Sequence, residues 1–206
     1  MIKTLVLIIL FMLAGCSGIS RQPNNQPNSL LHFTTDDNYL VIFILINTAK
    51  NRISNKLFSQ DILNFQNKIW SEKKDEYENL LSNVKSSQLT YLNFKKKIES
   101  DYVSLIDYSK KTPEFKVLKD QTGTYKQKVE KIWIDYFFKT KSVISNITGL
   151  ELLNSHNIII THPAIKNGKE VKGQWIEWGG YDEPSYVVTN LWHEILHNYF
   201  DKSNLY

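Results

Sequence analysis

The chain has a single cysteine, Cys16, among its 206 residues. One thiol cannot form a disulfide within the chain, so a fold held together by internal disulfides is excluded in any redox compartment. Charge of one sign is not in large excess either, because the formal net charge is only +4. Such a weak and evenly spread positive balance does not favour nucleic-acid binding. No internal repeat is present, which argues against a solenoid or a repeat array.

The apolar run near the N-terminus, residues 5–13, is too short to span a bilayer, which takes about 20 residues. Lys3 precedes this run, and the sequence Leu-Ala-Gly-Cys at residues 13–16 closes the segment. This ending resembles the lipobox of bacterial lipoproteins. The resemblance implies a signal peptide over residues 1–15, cleavage before Cys16 and a diacylglyceryl group on the Cys16 sulfur. The alternative is an ordinary secretory signal with an incidental cysteine.

The residues after Cys16 are polar and contain few apolar side chains. Their composition predicts a flexible tether over residues 16–30, which holds the domain of residues 31–206 off the lipid surface. By resemblance to lipoprotein sorting, Ser17 implies the outer membrane in a cell that has one. The expected location is therefore the cell envelope, with membrane contact through the lipid on Cys16.

The domain is expected to be α+β, with a helical first half. Residues 40–46 form a continuous apolar run that fits a buried strand or a buried helix, because periodicity alone cannot separate the two. Three stripes of apolar residues at steps of three and four follow, with a break at Pro113 and an end near Gly149. Aromatic residues at this spacing usually face a core, so the stripes predict packed helices. Their members are Ile62, Phe65, Ile69, Tyr77, Leu80 and Val84; Tyr91, Phe94, Ile98, Tyr102 and Leu105; and Tyr125, Val129, Ile132, Trp133, Tyr136 and Phe137.

The second half of the chain changes to strand patterns. Residues 156–162 are rich in β-branched side chains and stop at Pro163, which predicts a strand. Residues 174–180 predict a second strand that ends in a glycine pair. Between them, Lys-Asn-Gly-Lys at residues 166–169 predicts a turn, because Asn-Gly tolerates positive φ. A short strand or hairpin segment thus precedes a C-terminal helix, an order that indicates an α+β fold.

That last helix contains the pattern His-Glu-x-x-His, which ends at His197. On a helix, His193 and His197 lie on one face about 6 Å apart along the axis, so the two can hold one metal ion between them. Glu194 lies beside the first histidine, where a carboxylate can take a proton from water. The alternative is a helix with two incidental histidines.

Residues 190–199 resemble the active-site helix of zincin metallopeptidases, in which a hydrophobic residue stands two positions after the second histidine, as Tyr199 does here. The resemblance implies Zn²⁺ held by the neutral imidazoles of His193 and His197, with Glu194 as the general base. It also implies hydrolysis of a peptide bond in a peptide or protein substrate. Zincins have an edge strand before this helix. A Tyr or His on the opposite wall often stabilises the oxyanion, and the candidates for that role are Tyr181, Tyr186 and His162.

Catalytic zinc usually takes three protein ligands and an open position, and the third ligand is not evident. Only residues 198–206 follow His197, and they match neither the metzincin nor the gluzincin continuation. Asp201 is one turn beyond His197 but about 12 Å from His193 along the axis. Upstream candidates are Glu183, His156 and His162.

Three explanations stay open for the missing ligand. The chain is a shortened relative of a longer lipoprotein peptidase, without its C-terminal part; or it recruits an unusual ligand such as Asp201 or His162. Otherwise it is a non-catalytic envelope lipoprotein that keeps the motif and acts through protein–protein contacts.

Overall fold

The computed structural model describes residues 30–49, 58–171 and 174–200. The predictions for the signal peptide, for lipidation at Cys16 and for Asp201 as a ligand lie outside the described residues. The elements in chain order are β1 (Leu31–Thr34), α1 (Asp37–Ala49), α2 (Gln60–Glu72), α3 (Lys74–Asn83), α4 (Tyr91–Asn93), a π-helical turn (Phe94–Ile98), α5 (Glu99–Asp101), α6 (Val103–Lys110), α7 (Pro113–Thr148), β2 (His156–Ile160), β3 (Asn167–Val171), β4 (Trp175–Gly179) and α8 (Pro184–Phe200).

The four strands form one mixed sheet in the order β1-β2-β4-β3. β1, β2 and β4 run parallel, with Leu31 opposite His156 and Ile158 opposite Ile176. β3 runs antiparallel to β4 and forms one edge. The α+β class predicted from the sequence is confirmed, but the sheet also contains β1 and β3, which the sequence patterns did not indicate.

Both faces of the sheet are covered. Alternate residues of a strand point to opposite faces, so Ile158 and Ile160 pack with α7 and α8 in one core. Ile159 lies in the other core, with residues of α1 to α4, the π-helical turn, α6 and the start of α7. Parallel strands buried on both faces are apolar at successive positions. This explains why β2 shows a continuous apolar run instead of alternation.

Residues 40–46 belong to helix α1, which settles the choice that periodicity left open. The Asp36 carboxylate caps this helix, because its Oδ1 accepts the N–H groups of Asn38 and Tyr39, both at 3.0 Å. The apolar side chains of α1 are buried on every side. A helix buried all round has no polar stripe, so its sequence carries no helical period. Within the described ranges, none of the helices combines the length and the apolar character needed to cross a membrane.

The predicted break and end of the long helix are confirmed by α7. The Thr112 hydroxyl accepts the Phe115 N–H at 3.2 Å, and Pro113 occupies the first helical turn, where its missing N–H costs nothing. At the other end Gly149 takes φ 69° and closes the helix. The 36 residues of α7 extend about 54 Å, so this one helix contributes to both cores.

The turn predicted at residues 166–169 is wrong, because Asn167 begins strand β3. The chain reverses earlier, where the Ile165 N–H bonds to the His162 carbonyl at 3.0 Å. Gly168 reflects packing and not turn geometry, since a Cβ there would lie 3.2 Å from the Trp178 ring. The Asn167 amide is also used within the sheet, where it donates to the buried Glu177 carboxylate at 3.3 Å.

Candidate metal site on helix α8

Three local features fix the direction in which α8 leaves the sheet. Gly180 has φ 78°, and a Cβ at this position would lie 2.8 Å from the Lys166 Cα. The Tyr125 hydroxyl on α7 donates to the Tyr181 carbonyl at 2.6 Å and accepts the Tyr181 N–H at 3.0 Å. Burial raises the pKa of Tyr125, so this hydroxyl keeps its proton. The chain between β4 and α8 is therefore held to both the sheet and α7.

The first turn of α8 is capped by Glu183. Its carboxylate accepts the N–H groups of Tyr186 at 2.8 Å and Ser185 at 3.2 Å. The Ser185 hydroxyl and these backbone N–H groups lower the pKa of Glu183, so the cap stays ionised and favourable to the helix dipole. The Glu183 carboxylate is thus engaged in capping the N-terminus of α8. His193 lies ten residues further along the chain, so Glu183 is not a third metal ligand.

The inner face of α8 is apolar and closely packed. Its fully buried side chains are Val187, Val188, Leu191, Trp192 and Ile195. The Trp192 ring lies 5.1 Å from Trp133 and stacks on Phe137 at 6.0 Å, between ring centroids. Its indole N–H donates to the Thr140 hydroxyl at 2.8 Å. At about 100° per residue, this packing turns His193 and His197 to the side of the helix away from the core.

His193 and His197 converge on that outer side. Their Nε2 atoms are 3.1 Å apart, and the rings meet edge to face with centroids 4.5 Å apart. Two nitrogens bound at about 2.0–2.1 Å to one tetrahedral zinc ion are separated by about 3.3 Å. The observed spacing is close to this value, and it equally fits a hydrogen bond from one ring to the other.

Glu194 precedes Ile195 on the helix and is half-buried, as are His193 and His197. It lies next to the first histidine in the chain, and its side chain leaves the helix about 100° around the axis from that histidine. Glu194 is therefore adjacent to the histidine pair in sequence and leaves α8 on a neighbouring side of the helix.

A third ligand does not join the pair within the described part of the chain. Over those ranges, no group of three or more His, Cys, Asp or Glu side chains is arranged to hold a metal ion. His156 is fully buried at the start of β2, with its Nδ1 3.2 Å from the Asn154 carbonyl.

His162 is committed to a different set of contacts. The Ala164 N–H donates to its Nδ1 at 3.1 Å, so the hydrogen sits on Nε2, which donates to the Gln121 side-chain oxygen at 2.9 Å. The Gln121 amide in turn donates to Asp61 at 2.7 Å. This relay connects α2, α7 and the end of β2, and it leaves neither His162 nitrogen for an oxyanion or a metal.

The protonation of His162 predicts acid sensitivity. Burial lowers its pKa from 6.5 to about 4, against the opposing charge of Asp61. Between these pH values the unfolded chain binds a proton and the folded chain does not. The free energy of unfolding should therefore fall by about 3 kcal/mol as the pH drops from 7 to 4. Urea unfolding across this range should give a pH dependence that His162→Gln reduces by about this amount and that His32→Gln, at an exposed position, leaves in place.

Tyr186 and Tyr181 stack on each other beyond the start of α8. Their ring centroids are 4.6 Å apart, and the Lys166 ammonium lies 5.7 Å from the Tyr181 centroid. Side chains of a helix lean toward its N-terminus, and Tyr186 precedes His193 by seven residues, about 10 Å of helix axis. The structure therefore does not bring either tyrosine, the two remaining candidates for oxyanion stabilisation, to the histidine pair.

The edge strand β3 lies against α8. Sequence patterns missed this strand because Asn167 and Gly168 are typical of turns. The signal that could have found it is the antiparallel pairing of residues 167–171 with the predicted strand at 175–179. A sheet edge thus runs beside the helix that holds the histidine pair.

Comparison with family models, with curated proteins and with solved structures finds no match for this chain. Function is therefore inferred from its own residues and their geometry.

Proposed function

We propose that this protein is a lipid-anchored, zinc-dependent peptidase of the cell envelope, with the metal held by His193 and His197. The observation that carries the proposal is the 3.1 Å separation of the two Nε2 atoms on the outer side of α8. Two further features support it: Glu194 follows the first histidine directly, and an antiparallel edge strand lies against the same helix.

The donor set fits zinc. Neutral imidazole nitrogens are common zinc ligands, and Cys, the competing soft donor, is absent from the described residues. Zinc would act at this site as a Lewis acid toward the scissile carbonyl. Two protein ligands leave the remaining coordination positions for solvent, substrate or a further ligand such as Asp201.

The residues of the site would then have separate roles in hydrolysis. His193 and His197 would hold the zinc ion, because the buried Trp192, which directly precedes His193, fixes the helix face on which they stand. Glu194 would remove a proton from the attacking water and return it to the departing amine nitrogen. The exposed edge of β3 would offer backbone groups to an extended substrate.

The proposal of a lipid anchor depends on a separate part of the chain, the N-terminal segment that ends at Cys16. The lipobox-like sequence ending at Cys16 supports lipidation, and with it a location in the cell envelope, at the outer membrane of a cell that has one. A non-catalytic lipoprotein acting through protein contacts is the competing function, and peptide hydrolysis that depends on Glu194 separates the two.

Zinc affinity tests the proposal. Titration calorimetry of the full chain in detergent micelles should show one zinc ion bound per chain at micromolar concentration. His193→Ala and His197→Ala should each weaken binding at least about 100-fold, because a direct ligand is worth more than the supporting contacts that cost 10–100-fold. His32→Ala is the matched control, since His32 is exposed on β1 and should not affect binding. No binding by the wild type, or equal binding by all four proteins, would show that the pair is incidental.

A further inference from the structure

Two exposed apolar side chains mark one end of the domain. Leu153 is 66% exposed, the highest value among the large apolar side chains of the described residues, and Ile147 is 46% exposed. Ile147 is in the last turn of α7, and Leu153 is in the loop between α7 and β2, next to the buried Leu152. Residues 147–154 are called the basal surface below.

The basal surface is also poor in charge. Charged residues make up 22% of the whole chain, yet residues 145–155 include only Glu151. The other end of α7 is different, because Val117, which is 43% exposed, is flanked by Lys116 and Lys119. Exposed apolar groups without surrounding charge are typical of a surface that contacts another phase or molecule.

The chain enters the domain at this same end. The Leu30 carbonyl accepts the His156 N–H at 2.7 Å, and Leu153 is only three residues before His156, a span of at most about 11 Å. Cys16 precedes Leu30 by 14 positions, and 14 residues reach at most about 50 Å. A lipid on Cys16 would therefore attach the domain to the bilayer through the end that carries the basal surface.

We propose that the basal surface rests on the lipid bilayer, with Ile147 and Leu153 in the interfacial layer. In this arrangement residues 16–30 let the domain reach the membrane, whereas their composition led to the expectation that they hold it off the lipid surface. This orientation depends on the lipid anchor of the proposed function and adds a second, non-covalent membrane contact. The two acyl chains of the anchor would supply most of the attachment, and the apolar contact would set the orientation of the domain.

The orientation also determines which substrates reach the histidine pair. The Tyr199 hydroxyl accepts the Asn154 N–H at 3.0 Å, so the last turn of α8 adjoins the basal surface. His197 lies two residues before Tyr199. The metal site is thus at the bilayer side of the domain, where it would meet membrane-proximal segments of envelope proteins and not freely diffusing peptides.

Site-specific fluorophores test the orientation. Cys16 is the only cysteine, so Ile147→Cys, Leu153→Cys and Val117→Cys each give one labelling site once the Cys16 sulfur carries lipid. The full lipidated chain is reconstituted into vesicles of phosphatidylethanolamine and phosphatidylglycerol, some with a nitroxide on the headgroup. Val117→Cys is the matched control, because it lies on the same helix with nearly the same exposure as Ile147. Labels at positions 147 and 153 should be quenched by the nitroxide lipid several-fold more than the label at 117.

Three results would overturn the proposal. Equal quenching at all three positions would remove the preferred orientation. Protection of the labels at 147 and 153 from aqueous iodide, without quenching by the nitroxide lipid, would assign the basal surface to a protein partner. Failure of the chain to float with vesicles would remove the anchor itself. Zinc binding is measured separately in micelles, so any of these outcomes leaves the test of the metal site intact.

Discussion

Replacement of Glu194 by Gln should lower peptide hydrolysis by about 10²–10⁴-fold while zinc binding is retained. The amide keeps the size of the side chain but cannot accept the proton of the attacking water. Because Glu194 is not a member of the histidine pair, the metal affinity should change little. Hydrolysis is measured with a library of fluorescence-quenched peptides, and zinc content is measured on the same preparations.

Glu78→Gln is the control for this substitution. Glu78 lies on α3, where its carboxylate is exposed and 3.9 Å from the Lys74 ammonium. Its replacement should leave both hydrolysis and zinc content unchanged. Full hydrolytic activity in Glu194→Gln would exclude Glu194 as the base, and loss of zinc in that variant would make it a ligand instead.

Replacement of Trp192 by Ala should lower the free energy of unfolding by about 3–5 kcal/mol. The indole is fully buried against Trp133 and Phe137, and its removal leaves a cavity between α7 and α8. The Thr140 hydroxyl keeps its own bond to the Tyr136 carbonyl at 2.8 Å, so the loss is mainly one of packing. Urea unfolding followed by circular dichroism measures the change without zinc.

Two variants separate packing from other causes. Trp192→Phe retains a ring and loses the indole hydrogen bond, so a cost of about 1–2 kcal/mol is expected. Phe138→Ala removes a ring that is 54% exposed on the outer side of α7, which should change stability by about 0.5 kcal/mol or less. A cost below about 1 kcal/mol for Trp192→Ala would mean that α8 is not packed as described.

Local signals in the sequence identified the long helices. Pro113 and Gly149 mark the two ends of α7. Proline lacks an N–H group, which the first turn of a helix does not need, and glycine readily adopts the positive φ that ends a helix. The same kind of signal failed at Asn167 and Gly168, where a turn was expected. There the glycine is needed because the Trp178 ring passes close to it, a contact with the paired strand that the local sequence does not contain.

Periodicity was uninformative where burial is complete. Residues 40–46 are apolar at every position because α1 is buried in the core that it forms with the other N-terminal helices. The sequence of a helix without a solvent-exposed side has the same continuous apolar pattern as that of a buried strand. β1 was missed although its burial alternates, with Leu31 and Phe33 inside and His32 outside. Four residues are too few for a period-2 pattern to stand out from the polar segment before it.

The candidate site was partly accessible from sequence. The spacing of His193 and His197 gives two imidazoles on one helix face, and the structure brings their Nε2 atoms together. The commitment of His162 to Gln121 could not be foreseen, because 41 positions separate the two residues. The Tyr181–Tyr186 stack was not evident from the motif either, because it depends on the direction in which the chain leaves β4.

The central claim is that His193 and His197 share one metal ion, and zinc X-ray absorption tests it most directly. The extended fine structure of the zinc-loaded full chain should require two imidazoles with zinc–nitrogen distances of about 2.0–2.1 Å. Either single alanine variant, at matched zinc loading, should remove the two-imidazole signal. A wild-type spectrum that is fitted by oxygen ligands alone, or one that is unchanged in His193→Ala and His197→Ala, would contradict the account.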